Sequence, residues 1–227
     1  MTHGNYDAIL VAKRERHIER TITSVEDQTV PPHRIIVIAT DMKDPGFPMV
    51  EWYEDHLAAG PSRPRNIGAA LADCPIVACF DGDVEVPQDY METALQRIRS
   101  LKADLIGGEN RCRTGILDRF NYRLIGLFSR IMGILWADSI IGNNFVGWRR
   151  DLLSIPFDET MAMMEDADLS RKFRARSRTV RFYRDLYVFT RPRRIRCAGG
   201  WWPYLAMYFK AYLEYKRHGN VKNIRYF

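Results

Sequence analysis

The chain is predicted to be an α/β protein with a mostly parallel central sheet and helices on both faces. Three observations predict it. Apolar runs rich in Ile and Val, YDAILVA from Tyr6, RIIVIA from Arg34 and IVACF from Ile76, have the composition of strands buried on both faces. The segments around them place apolar residues at helical spacing. The third run ends on Asp81-Gly82-Asp83, and open α/β sheets bind ligands at the carboxyl ends of their strands.

Taken in order, Tyr6 to Ala12 reads as the first strand, and Ile18, Ile22 and Val25 then recur at helical spacing on a segment ending near Gln28. The PPHR stretch breaks that helix before the second strand, Arg34 to Ala39. A second helix is expected around Met49 to Ala59, followed by GPSRPRN, a loop by its Gly and Pro content, and a short Ala-rich helix before the third strand. The order is βαβαβ, the pattern of parallel strands joined by crossover helices.

After the acidic turn, Met91, Ala94, Leu95, Ile98 and Leu101 mark a helix, and ADLIGGENR a further strand leading to a Gly turn. Residues 1–110 thus form a nucleotide-binding type of half, followed by a second half over 111–195, within one domain spanning 1–195. Thr114 to Ile141 is apolar and aromatic, but Arg119, Arg123 and Arg130 interrupt it too often for a membrane span, so it is expected to be a helical insertion covering the site. Leu169 and Phe173 lie one turn apart, making Asp166 to Arg176 a helix with acids where its dipole favours them. Strands near Thr179 to Tyr183 and Leu186 to Thr190 complete the sheet. Residues 196–227 form an aromatic, basic helical segment in which Lys210, Glu214 and Arg217 make a narrow stripe beside a wide face of Trp, Tyr, Phe, Leu and Met.

At 227 residues and 46% hydrophobic content the chain can bury a full core, which excludes a disordered protein. Cys74, Cys79, Cys112 and Cys197 contain no CxxC pair and meet no matching His cluster, so neither a zinc site nor a disulfide framework is indicated. Reduced, buried thiols and an N-terminus without the pattern of a signal peptide lead to a cytoplasmic expectation. A net charge of +6 favours anionic partners: nucleotide or lipid phosphates, an acidic membrane face, or nucleic acid. Asp81 and Asp83 are hard oxygen donors suited to a divalent metal ion, the alternative being a polar turn in which Gly82 takes a positive φ.

Strand, helix, strand, an Arg-Asn segment, a strand ending in Asp-x-Asp and a later Glu-Asp helix, over residues 6 to 195, together resemble the family 2 glycosyltransferases of the GT-A fold. The resemblance implies an inverting transfer from a nucleotide-diphosphate sugar, with Asp81 near the ribose and Asp83 on a Mn²⁺ or Mg²⁺ ion at the diphosphate. SRPRNIGAALA looks like the family's Ala-Arg-Asn-x-Gly segment, which puts Arg65 and Asn66 beside the nucleotide. FDETMAMMEDADLSRKF is similar to its F-D-E and E-D-x-D-L segment. By that likeness Glu165 and Asp166 face the acceptor, Asp166 as the base with Glu165 as the alternative. Asp168 then supports the acceptor pocket, pairing with Arg171 or Lys172 on the same helix.

NNFVGWRRDLL resembles the strand and turn that place Gly147 and Trp148 at the sugar and acceptor pocket, though Trp148 equally suits a core aromatic. TRPRRIRCAGGWW resembles basic segments that approach the diphosphate or a phosphorylated acceptor, making Arg193 and Arg194 candidates. The chain departs from the family in two places. VIATDMKD stands where many members carry V-D-D-x-S-x-D, so Ala39 and Thr40 replace the first acids and Asp41 or Asp44 must take their part. VAKRERHIER stands in place of P-x-Y-N-E, leaving Glu15 as the ribose contact or base.

The aromatic stretches and their basic flanks suit a lipid-phosphate or lipid-linked glycan acceptor at the cytoplasmic face of a membrane; packing on the sheet or self-association into a homo-oligomer are the alternatives. A haloacid-dehalogenase-like phosphatase, with Asp81 as nucleophile and Asp83 as acid, is a rival, but its motif follows the first core strand and it leaves the Glu-Asp helix without a role. A non-catalytic protein binding nucleic acid or membrane through RKFRARSR leaves the placed acids unexplained, and no nucleic-acid partner is expected.

Overall fold

The computed structural model describes residues 5–57, 60–113, 115, 118 and 139–221. Its elements run β1 (Tyr6–Lys13), α1 (Ile18–Glu26), β2 (Arg34–Thr40), β3 (Val50–Glu54), α2 (Ser62–Leu71), β4 (Ile76–Asp81), β5 (Val84–Glu85), α3 (Tyr90–Ser100) and β6 (Leu105–Arg111). There follow β7 (Asn144–Trp148), α4 (Arg149–Ser154), α5 (Glu165–Ala175), β8 (Val180–Thr190), α6 (Arg193–Cys197) and α7 (Trp201–His218). The strands form one eight-stranded sheet in the order β3-β2-β1-β4-β7-β6-β8-β5. β3, β2, β1 and β4 are mutually parallel, whereas β7 runs antiparallel to both β4 and β6.

Strand alternation divides the core between the two faces. Tyr6, Ala8, Leu10, Ala78 and Phe80 pack with Ile18, Ile22 and Val25 of α1 and Met91, Ala94 and Ile98 of α3. Ile9, Ile36, Ile38, Val77 and Cys79 pack on the other side with Ala69 of α2, Leu152 of α4 and Leu169 and Phe173 of α5. With helices on both faces the central strands are buried throughout, as their continuous apolar runs require.

The structure corrects four expectations. The helix expected around Met49 to Ala59 is β3, which extends the sheet through pairs from Ile35 with Val50 to Ala39 with Glu54. Val50, Trp52 and Tyr53 are strand formers, and the open edge of β2 supplies hydrogen bonds that outweigh a short helical pattern. GPSRPRN is not all loop, because α2 starts at Ser62. Pro64 sits in its first turn, where no backbone N–H is lost from the helix ladder. The glycines of ADLIGGENR make no turn: β6 continues through them, since a Cβ at Gly107 would lie 2.9 Å from Ile140 and one at Gly108 2.3 Å from the Leu186 carbonyl oxygen. Finally, the two last strands are one, β8, whose register against β6 jumps from Gly108 with Tyr183 to Glu109 with Tyr187. That bulge absorbs the residues read as a break.

The insertion expected over 114–141, with Arg119, Arg123 and Arg130, lies almost wholly outside the described residues. No described helix is long and apolar enough to cross a membrane.

Candidate active site

The site is built at the carboxyl ends of β1, β2 and β4. Asp81 is the last residue of β4 and shares its face with Val77 and Cys79, so its side chain is directed to the layer holding α2 and α5. Its backbone N–H donates to the Asn143 carbonyl (3.1 Å), and that of Gly82 to Val11 (2.8 Å). Asp81 is buried, and its charge is met by Arg65 of α2, whose Nη2 donates to Asp81 Oδ1 (3.0 Å) while Nη1 donates to Glu165 Oε1 (3.0 Å). One buried guanidinium thus joins carboxylates from β4 and α5. Burial pulls the Arg65 pKa down, but Asp81 and Glu165 outweigh it and hold the group protonated.

The loop before β7 closes over this pair. A Cβ at Gly142 would lie 2.9 Å from Arg65 Nη1, so a side chain there would displace the guanidinium. The Gly142 N–H donates to Asp166 Oδ2 (3.0 Å), and the Ala167 N–H to Oδ1 (2.8 Å). Burial, reinforced by the neighbouring Glu165 charge, pushes the Asp166 pKa up to about 6 against those two N–H bonds and Arg65. Met164, immediately before α5, has φ +65°. Arg14 and Asp41, with φ +49° and +54°, lie just beyond β1 and β2, so three left-handed non-glycine residues ring the same rim. Such strain gathers where the surrounding fold imposes a backbone that a ligand or a catalytic group needs.

On the other side of the Asp-Gly-Asp turn, Arg193 of α6 reaches Glu15 (2.5 Å) and lies 3.8 Å from Asp83. Glu15 also accepts the His17 N–H (2.9 Å). Asp41 pairs with Arg14 (2.8 Å) on the exposed rim. Thr21 of α1 supports the turn from beneath, its hydroxyl 2.8 Å from the Gly82 carbonyl and 2.6 Å from that of Val84. Gly82 is needed for closeness rather than for a positive φ, because a Cβ there would lie 2.8 Å from the Ala12 Cβ and 3.0 Å from Ile18. Gly82→Ala is expected to cost about 1–3 kcal/mol by overpacking, read as a lower urea midpoint.

Several residues expected at the site are engaged elsewhere. Gly147 and Trp148 pair with Val77 and Ile76, at the amino end of β4, because β7 is antiparallel. They therefore sit at the far end of the sheet from Asp81, where Trp148 Nε1 donates to the Ala103 carbonyl (3.1 Å). Antiparallel pairing brings Gly142 and Asn143 to the site instead. Asn66 spends its amide on the 157–159 loop, donating to Phe157 O and Glu159 Oε1 (both 3.0 Å) and accepting the Phe157 N–H (3.0 Å). Asp168 pairs with both Arg171 and Lys172 (2.7 Å each) and with the Tyr215 hydroxyl (3.2 Å), so it ties α5 to α7. The side chain of Arg194 lies outside the described residues.

Among the described residues one His, Cys and acid cluster has metal-like spacing: Asp7, His33 and Cys74, at the amino end of β1. Asp7 already accepts the N–H groups of Asp73 (2.6 Å) and Cys74 (2.9 Å) and has Arg34 at 3.7 Å, an arrangement that anchors a turn. Asp81 and Asp83 offer the hard oxygen donors that Mn²⁺ or Mg²⁺ prefer, on a turn held rigidly from below, and so fit such an ion.

The family described as glycosyl transferase family 2 matches residues 8–168. Among solved structures, the mannosyltransferase PcManGT from Pyrobaculum calidifontis, in complex with GDP-Man and Mn²⁺, is 16% identical, with a TM-score of 0.64 over 92% of this chain and 65% of that one. S. aureus TarS 1–349 is 15% identical, with a TM-score of 0.59 over 82% of this chain and 60% of that one. The same TarS fragment in complex with UDP-GlcNAc is 14% identical, with a TM-score of 0.60 over 82% and 58%. These likenesses show the GT-A fold. The chain spans about three fifths of the length of these structures. No curated protein matches it.

Proposed function

The chain belongs to glycosyl transferase family 2, and from that membership we propose that it moves a sugar, with inversion, from a nucleotide-diphosphate sugar to a hydroxyl of a lipid-linked glycan acceptor. The observation that carries the reading is Asp166: a carboxylate at the head of α5, next to the Asp81–Arg65–Glu165 unit, with its pKa pushed up to about 6. Such a group is ionised at neutral pH yet more basic than an ordinary carboxylate, the requirement for a general base working near neutrality.

In this mechanism Asp166 takes the acceptor hydroxyl proton as the oxygen attacks the anomeric carbon from the side opposite the leaving group. The new C–O bond forms as the bond to the diphosphate breaks, and the nucleoside diphosphate leaves with the electron pair. Asp83, with Asp81, would hold Mn²⁺ or Mg²⁺, which supplies positive charge against the negative charge developing on the departing diphosphate. Arg65 keeps Asp81 and Glu165 at a set separation, so the donor and acceptor sides move as one unit. Arg193 meets the diphosphate in this reading, which its position between Glu15 and Asp83 supports. Residues 1–110 serve the donor and 111–195 the acceptor.

Calorimetric titration with UDP and GDP, in Mn²⁺ and again in EDTA, tests the donor site. Metal-dependent binding of one of them is expected, lost in Asp83→Ala; absence of binding to either rejects the reading. For the base, kcat/KM is expected to fall about tenfold per pH unit below about 6, because protonated Asp166 cannot accept a proton. A flat profile from neutral pH to well below that value would remove Asp166 from the role.

A further inference from the structure

Helices of soluble domains bury their apolar stripe, yet α7 turns one outward. Trp202, Leu205, Phe209 and Leu213 recur at i, i+3, i+7 and i+11, on one side of the helix, and are exposed by 83%, 38%, 60% and 38%. The opposite side is the one that packs: Ala211 is buried against Met163 and Val221, with Met164, Met207 and Tyr215 around them. Nothing among the described residues covers the outward stripe.

The rim of that stripe is basic. Lys210, Lys216 and Arg217 border it and are exposed, with His218 following and Glu214, half-buried, the one acid of the helix. Trp and Tyr, which suit the boundary between water and acyl chains, make up much of the rest of the helix, at Trp201, Tyr204, Tyr208 and Tyr212. An apolar stripe edged by cations is complementary to anionic headgroups over acyl chains.

We propose that α7 docks this face on an anionic lipid bilayer, lying in the plane of its surface. The inner side of the same helix touches Met163 and Met164, the residues that lead into Glu165 and Asp166, and Tyr215 binds Asp168. Docking therefore sets the base beside the lipid surface, which deepens the reading above by making the acceptor one carried in the membrane; it rests on that reading for the acceptor but not for the surface.

The test sediments the full chain with vesicles of phosphatidylcholine, with and without phosphatidylglycerol. Binding is expected to the anionic vesicles and to weaken with salt. Trp202→Ser with Phe209→Ser should lower partitioning at least ~10-fold, and reversing the charges at Lys210, Lys216 and Arg217 should abolish the preference for anionic lipid. Both variants should keep the nucleotide binding of the parent by calorimetry. Failure to sediment with anionic vesicles, or partitioning indifferent to the serine pair, overturns the proposal. So does a dimer in light scattering that the serine pair dissociates, which would assign the stripe to a second copy. Loss of nucleotide binding in the parent with vesicle binding intact would reject the transferase reading and leave the surface standing.

Discussion

Arg65→Met is expected to cost about 3–5 kcal/mol of folding stability, the effect of removing one partner from a buried ion pair. Asp81 and Glu165 would be left in a buried position with no cation between them, and each polar bond to Arg65 is 3.0 Å, so neither is a loose contact. With a domain's total stability at about 5–15 kcal/mol, the variant should be close to unfolding at physiological temperature. Arg65→Lys should recover little, since one ammonium cannot span two carboxylates in the fork geometry of a guanidinium. Urea denaturation separates charge from packing: adding Asp81→Asn and Glu165→Gln to Arg65→Met should return most of the lost stability while leaving no transfer activity. A single Arg65→Met protein with an unchanged urea midpoint would show that the guanidinium does not neutralise the pair.

Asp166→Asn should have the opposite profile, losing transfer by about 10²–10⁴-fold while gaining stability at neutral pH. The raised pKa has a cost: between an ordinary carboxylate pKa of 3.8 and the folded value of about 6, the unfolded chain gives up its proton first. Stability due to this group therefore falls as pH rises through that window and stays lower above it. Asparagine keeps an oxygen for the Gly142 N–H and carries no charge, so it removes the charge penalty while giving up the acceptor for the Ala167 N–H. The gain should grow as pH rises from about 4 to about 6 and vanish below pH 4. Melting temperatures of parent and variant across that range check the sign. Unchanged UDP or GDP binding in the variant would separate the base from the donor site; a loss of binding equal to that of Asp83→Ala would contradict the split.

The strand runs from Tyr6, Arg34 and Ile76 and the helices α1, α3 and α5 were legible because their apolar periods match their burial. The Glu165-Asp166 pair and Asp81 were legible because a motif names them, and Arg65 stands between them in the structure. What the sequence hid is non-local. β3 reads as a helix until β2 offers it an edge, and Gly107 and Gly108 look like a turn until Ile140 and Leu186 press on them. The direction of β7 decided the rest. Read forward, Gly147 and Trp148 fall near the acids; antiparallel pairing puts Asn143 and Gly142 there instead. A signal was present in the Gly-Asn-Asn that leads into the strand, a turn that must lie at one end of the sheet.

That placement of β7 also bears on how the chain is made. β4 is buried along its whole length and apolar as far as Asp81, and among the described residues its outer edge pairs with β7 alone, whose first residue, Asn144, follows Asp81 by more than sixty positions. As the nascent chain leaves the ribosome, the β3-β2-β1-β4 portion can assemble while that edge waits, with its N–H and C=O groups open to any passing strand. The interval until Asn144 to Trp148 emerges is thus the period in which this polypeptide most needs a chaperone.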